Sequence, residues 1–130
     1  MNQAKRALTL LISLLMLSSC TSADLVNRPR TSFPNKDVSR VENGILTAMQ
    51  TRGWVPVKER DGSILATLHL RTHTAVVRIT YGSDWYKIDY VSSEDLGYRK
   101  DASGQERIHR NYNSWVENLS KDIDTVLAAS

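Results

Sequence analysis

The chain has 130 residues, 41% of them hydrophobic and 24% charged, with one cysteine and a formal net charge of +3. One cysteine excludes an internal disulfide, and this length accommodates a single modest hydrophobic core. Lys5 and Arg6 precede every acidic residue, so residues 20–130 carry 15 of the 17 basic side chains and all 14 acidic ones. This balance lacks the excess of positive charge that is typical of nucleic-acid-binding proteins.

The N-terminus has the pattern of a secretory signal. Lys5 and Arg6 are followed by an apolar segment, residues 7–17, that is interrupted only by Thr9 and Ser13. The segment is shorter than the roughly 20 apolar residues of a transmembrane helix, and small polar residues follow it. The pattern therefore predicts a signal peptide over residues 1–19.

The only cysteine stands directly after this segment, in the sequence Leu17-Ser18-Ser19-Cys20. An aliphatic residue and two small residues before a cysteine resemble the lipobox of bacterial lipoproteins. The resemblance implies that a diacylglycerol is attached to the Cys20 thiol, that the signal is cleaved before it, and that the new amino group is acylated. Thr21 follows where aspartate would resemble an inner-membrane retention signal, so we expect an outer-membrane lipoprotein facing the periplasm.

Two segments follow the cysteine. Residues 20–36 are rich in Thr, Ser, Asn, Arg and Pro, and we expect a lipidated flexible tether there, followed by one domain over residues 37–130. The domain begins with an amphipathic helix, because Asp37 suits an N-cap, Gly53 suits a C-cap, and apolar residues between them recur at helical spacing.

The period of the hydrophobic pattern then changes from helical spacing to two. Four strands are predicted, from Trp54, Ile64, Ala75 and Trp85 onward, and tight turns such as Asp61-Gly62 join them. Pro56 lacks an N–H group, which places the first of these strands at a sheet edge. The four strands indicate an antiparallel meander with one buried face and one face open to water.

A polar loop over residues 92–105 and a closing helix from about Glu106 complete the prediction. In the helix, apolar residues from Ile108 to Leu127 recur every three or four positions. We therefore predict an α+β fold, ordered α-β-β-β-β-α, in which a four-stranded antiparallel meander packs both helices on one face.

Several polar side chains and one aromatic side chain are predicted on the open face of the meander. Such a mixture of cations, hydroxyls and an aromatic ring is typical of a surface that contacts another molecule. The candidate contact residues are His69, Arg71, Arg78, Trp85 and Lys87. A second candidate is the loop with Leu96 and Tyr98, apolar residues outside any periodic pattern.

Histidine spacing offers a different hypothesis. His69 and His73 flank a predicted hairpin, and two imidazoles that converged there could bind a metal ion. The alternative function is therefore a carrier of a small ligand or metal, using this pair or a pocket between sheet and helices. For catalysis, no serine lies in a G-x-S-x-G motif and no S-x-x-K motif occurs in residues 20–130, nor does any other catalytic constellation stand out. We expect neither an enzyme nor a bound cofactor.

The segments YKIDYVSSEDLGY, from Tyr86, and IHRNYNSWVENLSKDI, ending at Ile123, resemble the C-terminal part of small proteobacterial lipoproteins. This resemblance implies the lipoprotein class and the closing helix, and no activity. The expectation is therefore a membrane-anchored periplasmic lipoprotein that binds or helps to assemble an envelope protein partner.

Overall fold

The computed structural model describes residues 21–130, so Cys20 and the predicted signal peptide lie outside the described residues. This part of the chain forms two helices and eight strands, arranged in two antiparallel sheets. The elements are β1 (Ser22–Asp24), β2 (Thr31–Ser32), α1 (Val38–Arg52), β3 (Val55–Lys58), β4 (Ile64–Leu70), β5 (His73–Tyr81), β6 (Trp85–Glu94), β7 (Arg99–Lys100), β8 (Glu106–His109) and α2 (Arg110–Ala129). The α+β class is confirmed.

Helix α1 begins and ends where its capping residues predict. The carboxylate of Asp37 accepts a hydrogen bond from the Ser39 N–H at 2.8 Å, which satisfies one of the free donors of the first turn. Gly53 adopts a left-handed conformation with φ of 81°, and its N–H bonds back into the last turn.

The larger sheet contains the predicted meander and one further strand. Its order is β2-β6-β5-β4-β3, in which the four consecutive strands from β3 to β6 are neighbours, and all pairs are antiparallel. β3 lies at one edge, as Pro56 indicates. The prediction of four strands is corrected to five, because β2 pairs with the start of β6 through Thr31 and Ser32.

A smaller sheet of three strands, in the order β1-β8-β7, was not expected from the sequence. Ser22 pairs with His109 and Asp24 with Arg107, so residues 22–24 are part of the domain. Residues 22–36 therefore do not form a free tether, since β1 and β2 fix this segment at two places.

Buried apolar side chains also fix residues 22–36 to the domain, and the closing helix begins later than predicted. Leu25 is buried in the core and Phe33 packs against it. Residues 106–109, predicted as the first turn of the helix, instead form β8, and α2 begins at Arg110. Ile108 satisfies both patterns, because it is buried in β8 and also fits the spacing of the helical stripe.

Both helices and one face of the larger sheet contribute to a single hydrophobic core. Val41, Ile45 and Met49 of α1 are fully buried, as are Leu119 and Ile123 of α2. Over residues 64–68 of β4 and 75–79 of β5 every second residue is buried, so the sheet turns one apolar face to the core. Within residues 21–130, no helix has the length and apolar character required to cross a bilayer.

Candidate contact surface

The larger sheet has one face that no helix covers, which we call the open face. Directly opposite residues on antiparallel strands share a face, so the strand register identifies its members. The open face includes Val55, Val57, Leu65, Thr67, His69, Thr74, Val76, Arg78, Thr80, Trp85, Lys87, Asp89, Ser92 and Glu94.

The chemistry of the open face changes across the sheet. One row of opposite residues runs from Val57 through Leu65 and Arg78 to Asp89. At the β3 end, Val57 is 59% exposed and Val55 is 56% exposed. Along this row the surface is therefore apolar over β3 and β4 and charged over β5 and β6.

The two predicted cations on the open face each have an acidic partner. Arg78 Nη2 lies 3.5 Å from the Glu59 carboxylate, and Lys87 Nζ lies 2.9 Å from Asp89 Oδ1. All four side chains are partly exposed, where such ion pairs contribute little to stability. Consequently this part of the surface is charged without a net excess of positive charge.

Trp85, also predicted for this surface, is covered by a residue of the segment expected to be a tether. The Arg30 guanidinium carbon lies 3.7 Å from the centroid of the Trp85 ring, the geometry of a cation–π contact. Gly82 makes room for the ring, because a Cβ atom there would lie 2.4 Å from Trp85 Nε1. The sequence provided no indication of Arg30, since its neighbours show no periodic pattern.

The other two predicted contact residues lie far from this cluster. His69 shares the open face, but it lies four residues along β4 from Leu65, which faces Arg78; this corresponds to about 13 Å. Its Nδ1 lies 3.1 Å from Thr74 Oγ1. Arg71 lies in the β4–β5 turn with φ of 57°. The five predicted residues thus form a group of three and two separate positions.

The predicted metal pair does not converge. His69 lies opposite Thr74, and Leu70 lies opposite His73, so the two histidines point to opposite faces of the sheet. His73 Nδ1 instead contacts the Asp95 carbonyl oxygen at 2.5 Å, and its ring lies 6.1 Å from those of His109 and Trp115. The hypothesis of a ligand pair at this hairpin is therefore wrong.

In the loop proposed as a second contact site, Leu96 is buried and Tyr98 is partly exposed. Leu96 is buried in the core, and its carbonyl accepts a hydrogen bond from the His109 N–H at 2.8 Å. Tyr98 stacks on Tyr90 with the ring centroids 4.6 Å apart. The hydrogen bond from Tyr98 to the Glu106 carboxylate raises the pKa of the phenol to about 12.

One surface groove outside the open face has a volume of about 470 Å³. It lies between residues 31–36 and the end of α2, with Phe33, Asp124 and Leu127 in its walls. Among residues 21–130, no three His, Cys, Asp or Glu side chains lie together as a metal site would require. Comparisons with protein-family models, curated proteins and solved structures found no match.

Proposed function

We propose that this chain is an outer-membrane lipoprotein, anchored through Cys20 and facing the periplasm, whose open face binds an envelope protein without catalytic turnover. The observation that supports binding is the exposure of Val55 and Val57 beside Leu65 on a face without a covering layer. Apolar side chains bordered by charged pairs are the arrangement of a contact core with a polar rim.

Recognition would use the side chains of this face rather than addition of a strand to its edge. The Glu59 N–H donates to the Ser63 carbonyl at 2.9 Å, and bonded pairs alternate along an antiparallel ladder. Val57 and Val55 therefore bond to β4, while Pro56 faces the free edge of the sheet. Since proline has no N–H, this edge offers a partner strand an incomplete set of donors.

Anchoring to the membrane allows the domain to bind a partner through a modest contact area. Two or three acyl chains confine the domain to a thin layer at the membrane, because one chain alone gives only marginal attachment. Confinement raises its effective concentration toward other membrane-attached components, so weak contacts are occupied.

The binding proposal is tested by photo-crosslinking in intact cells, with the crosslinker placed at Lys87 on the open face. We expect a discrete crosslinked partner that disappears in the double variant V55D/V57D, because two buried carboxylates would oppose the apolar contact. The matched control is V26D, which alters a valine of similar exposure, 53%, outside the open face. A partner retained in V55D/V57D, or lost equally in V26D, would contradict the proposal.

The anchor is tested separately by Cys20→Ala. We expect this variant to lose labelling by radioactive palmitate and to leave the membrane fraction. Labelling that is unchanged by the substitution would exclude Cys20 as the lipidated residue.

A further inference from the structure

The residue that follows Cys20 is held firmly against the domain. The Thr21 carbonyl accepts a hydrogen bond from the Arg110 N–H, the first of α2, at 2.8 Å. Ser22 pairs with His109, and the Arg107 guanidinium donates to the Ser22 carbonyl at 3.1 Å. The chain is therefore ordered from its first described residue, without slack between Thr21 and the fold.

This arrangement restricts where an anchor on Cys20 can lie. Consecutive Cα atoms are about 3.8 Å apart, so the Cys20 Cα lies that distance from the Thr21 Cα. Lipid chains attached there would enter the bilayer beside the start of α2 and the outer face of the smaller sheet, which is the face that carries Asp24, Arg99 and Arg107. A domain on a free tether would sample all orientations, whereas this one has a fixed attachment point.

We propose that the N-terminal end of α2 and the outer face of the smaller sheet rest on anionic phospholipid headgroups. The inference rests on the proposed lipidation of Cys20 and deepens it, since it names the surface that meets the membrane. The opposite end of the domain then points into the periplasm. That end contains the β5–β6 turn, whose Ser83 carbonyl accepts from the Lys36 N–H, while Lys36 Nζ reaches the Ser130 carbonyl.

The charges beside the attachment point suit this contact. Arg99 and Arg110 are exposed and make no ion pair among residues 21–130. Of the acids in the smaller sheet, Asp24 pairs with Arg107 at 2.9 Å, and Glu106 accepts a hydrogen bond from the Tyr98 hydroxyl at 2.6 Å. The Asp101 carboxylate accepts from the Ser103 and Gln105 N–H groups of its own turn. The two arginines thus remain available for phosphate oxygens, and each cation near an anionic surface strengthens binding about fivefold.

The geometry also separates the two ends of the domain. α2 has 20 residues and is therefore about 30 Å long. It begins beside Thr21 and ends beside Lys36, which bonds to the β5–β6 turn. A probe at the first turn of α2 and a probe at Asp84 consequently report on opposite ends of the domain.

The test uses the full chain, expressed in a lipoprotein-processing bacterium and reconstituted into vesicles of phosphatidylcholine and phosphatidylglycerol. Cys20 is the only cysteine, so a second cysteine is the only free thiol once Cys20 is acylated. Two exposed positions, Asn111→Cys and Asp84→Cys, receive the same fluorophore in separate proteins. We expect a quencher attached to the lipid headgroup to quench the label at position 111 severalfold more than the label at position 84.

Charge variants test the headgroup contact itself. In the Asn111→Cys protein, R99E/R110E should reduce this quenching in phosphatidylglycerol vesicles and leave it unchanged in vesicles of phosphatidylcholine alone. The matched control is R40E/R60E, which alters the net charge equally at two exposed arginines elsewhere. Equal quenching at positions 111 and 84, or equal effects of the two charge variants, would overturn the proposed contact. Mass spectrometry that shows an unmodified Cys20 would instead overturn the lipidation on which it rests.

Discussion

The Tyr86 hydroxyl donates a hydrogen bond to Asp124 Oδ1 at 2.6 Å, and this bond connects the larger sheet to α2. The Tyr86 hydroxyl oxygen also lies 2.8 Å from Ser120 Oγ, a buried hydroxyl. Sheet and helix are thus joined by a polar group within an otherwise apolar contact. The Tyr86 and Ser120 hydroxyls are buried, so leaving either without a partner is costly, because water cannot replace the lost hydrogen bond.

Tyr86→Phe should lower the free energy of unfolding by about 1–3 kcal/mol, since it removes the donor to Asp124 and leaves Ser120 with fewer partners. Urea denaturation followed by circular dichroism measures this change. Tyr90→Phe is the matched control, because the Tyr90 hydroxyl bonds to Ser93 in a half-exposed position and its loss should cost less. Equal losses in the two variants would contradict the role assigned to the Tyr86 bond.

Alkaline pH should destabilise the protein in the range in which tyrosine ionises. Burial, with the Asp124 carboxylate adding to it, raises the pKa of Tyr86 to about 12, and burial also raises the pKa of Tyr112. A phenol in the unfolded chain ionises near its ordinary pKa of about 10, so above that pH the unfolded state loses protons that the folded state retains. The tyrosine contribution is therefore complete below about pH 10 and falls as pH rises through the folded-state pKa.

The contribution of Tyr86 to this effect is separable. Lysine and arginine titrate in the wild type and in Tyr86→Phe alike, so the difference between the two proteins isolates one phenol. We expect the free energy of unfolding of Tyr86→Phe to decline less steeply between about pH 10 and pH 12. Parallel pH profiles, measured by denaturation at each pH, would show that this phenol titrates alike in both states.

The N-terminus of α2 depends on a histidine cap. His109 Nδ1 accepts a hydrogen bond from the Asn111 N–H at 3.1 Å. His109→Ala should lower the free energy of unfolding by roughly 0.5–2 kcal/mol, whereas His109→Asn should retain most of it, because asparagine is a favoured N-cap. Thermal unfolding of the two variants distinguishes capping from ring packing, since an equal loss in both would assign the effect to the ring.

Gly44 sets the distance between the helices. A Cβ atom at this position would lie 2.8 Å from Leu127 Cδ2 and 3.5 Å from Val126 Cγ1. Gly44→Leu should therefore cost about 1–3 kcal/mol through overpacking. Gly44→Ala should cost much less, because the better helix propensity of alanine, worth about 1 kcal/mol, offsets the movement of one methyl group. Denaturant titration of both variants checks this order, and a larger loss for alanine would contradict it.

The elements that the sequence predicted well are those whose pattern is local. α1 has both caps next to its own ends, and β4 to β6 are seven or more residues long, with buried and less buried residues alternating along part of each. Asp61-Gly62 forms the expected turn, with Gly62 at φ of 89°. Local periodicity was sufficient here because each strand pairs with its neighbour along the chain.

The strands that were missed are short, and two of them, β1 and β2, depend on distant partners. β1, β2 and β7 have two or three residues, too few to show an alternation, and β1 pairs with β8 more than 80 residues away. The same limit applies to the contact surface. Local alternation correctly placed Arg78, Trp85 and Lys87 together on one face of the sheet. The contact between Arg30 and Trp85, however, depends on where β2 lies, which composition does not reveal.

The pairing of β1 with β8 also sets an order of events during maturation. A chain that emerges N-terminus first presents Ser22 long before His109 is available, so β1 stays unpaired until nearly all of the polypeptide has been delivered. Closing so long a loop is a slow step compared with forming the hairpins between β3 and β6. On the proposed lipidation of Cys20, this interval is the time in which processing enzymes meet a segment that has not yet paired with β8.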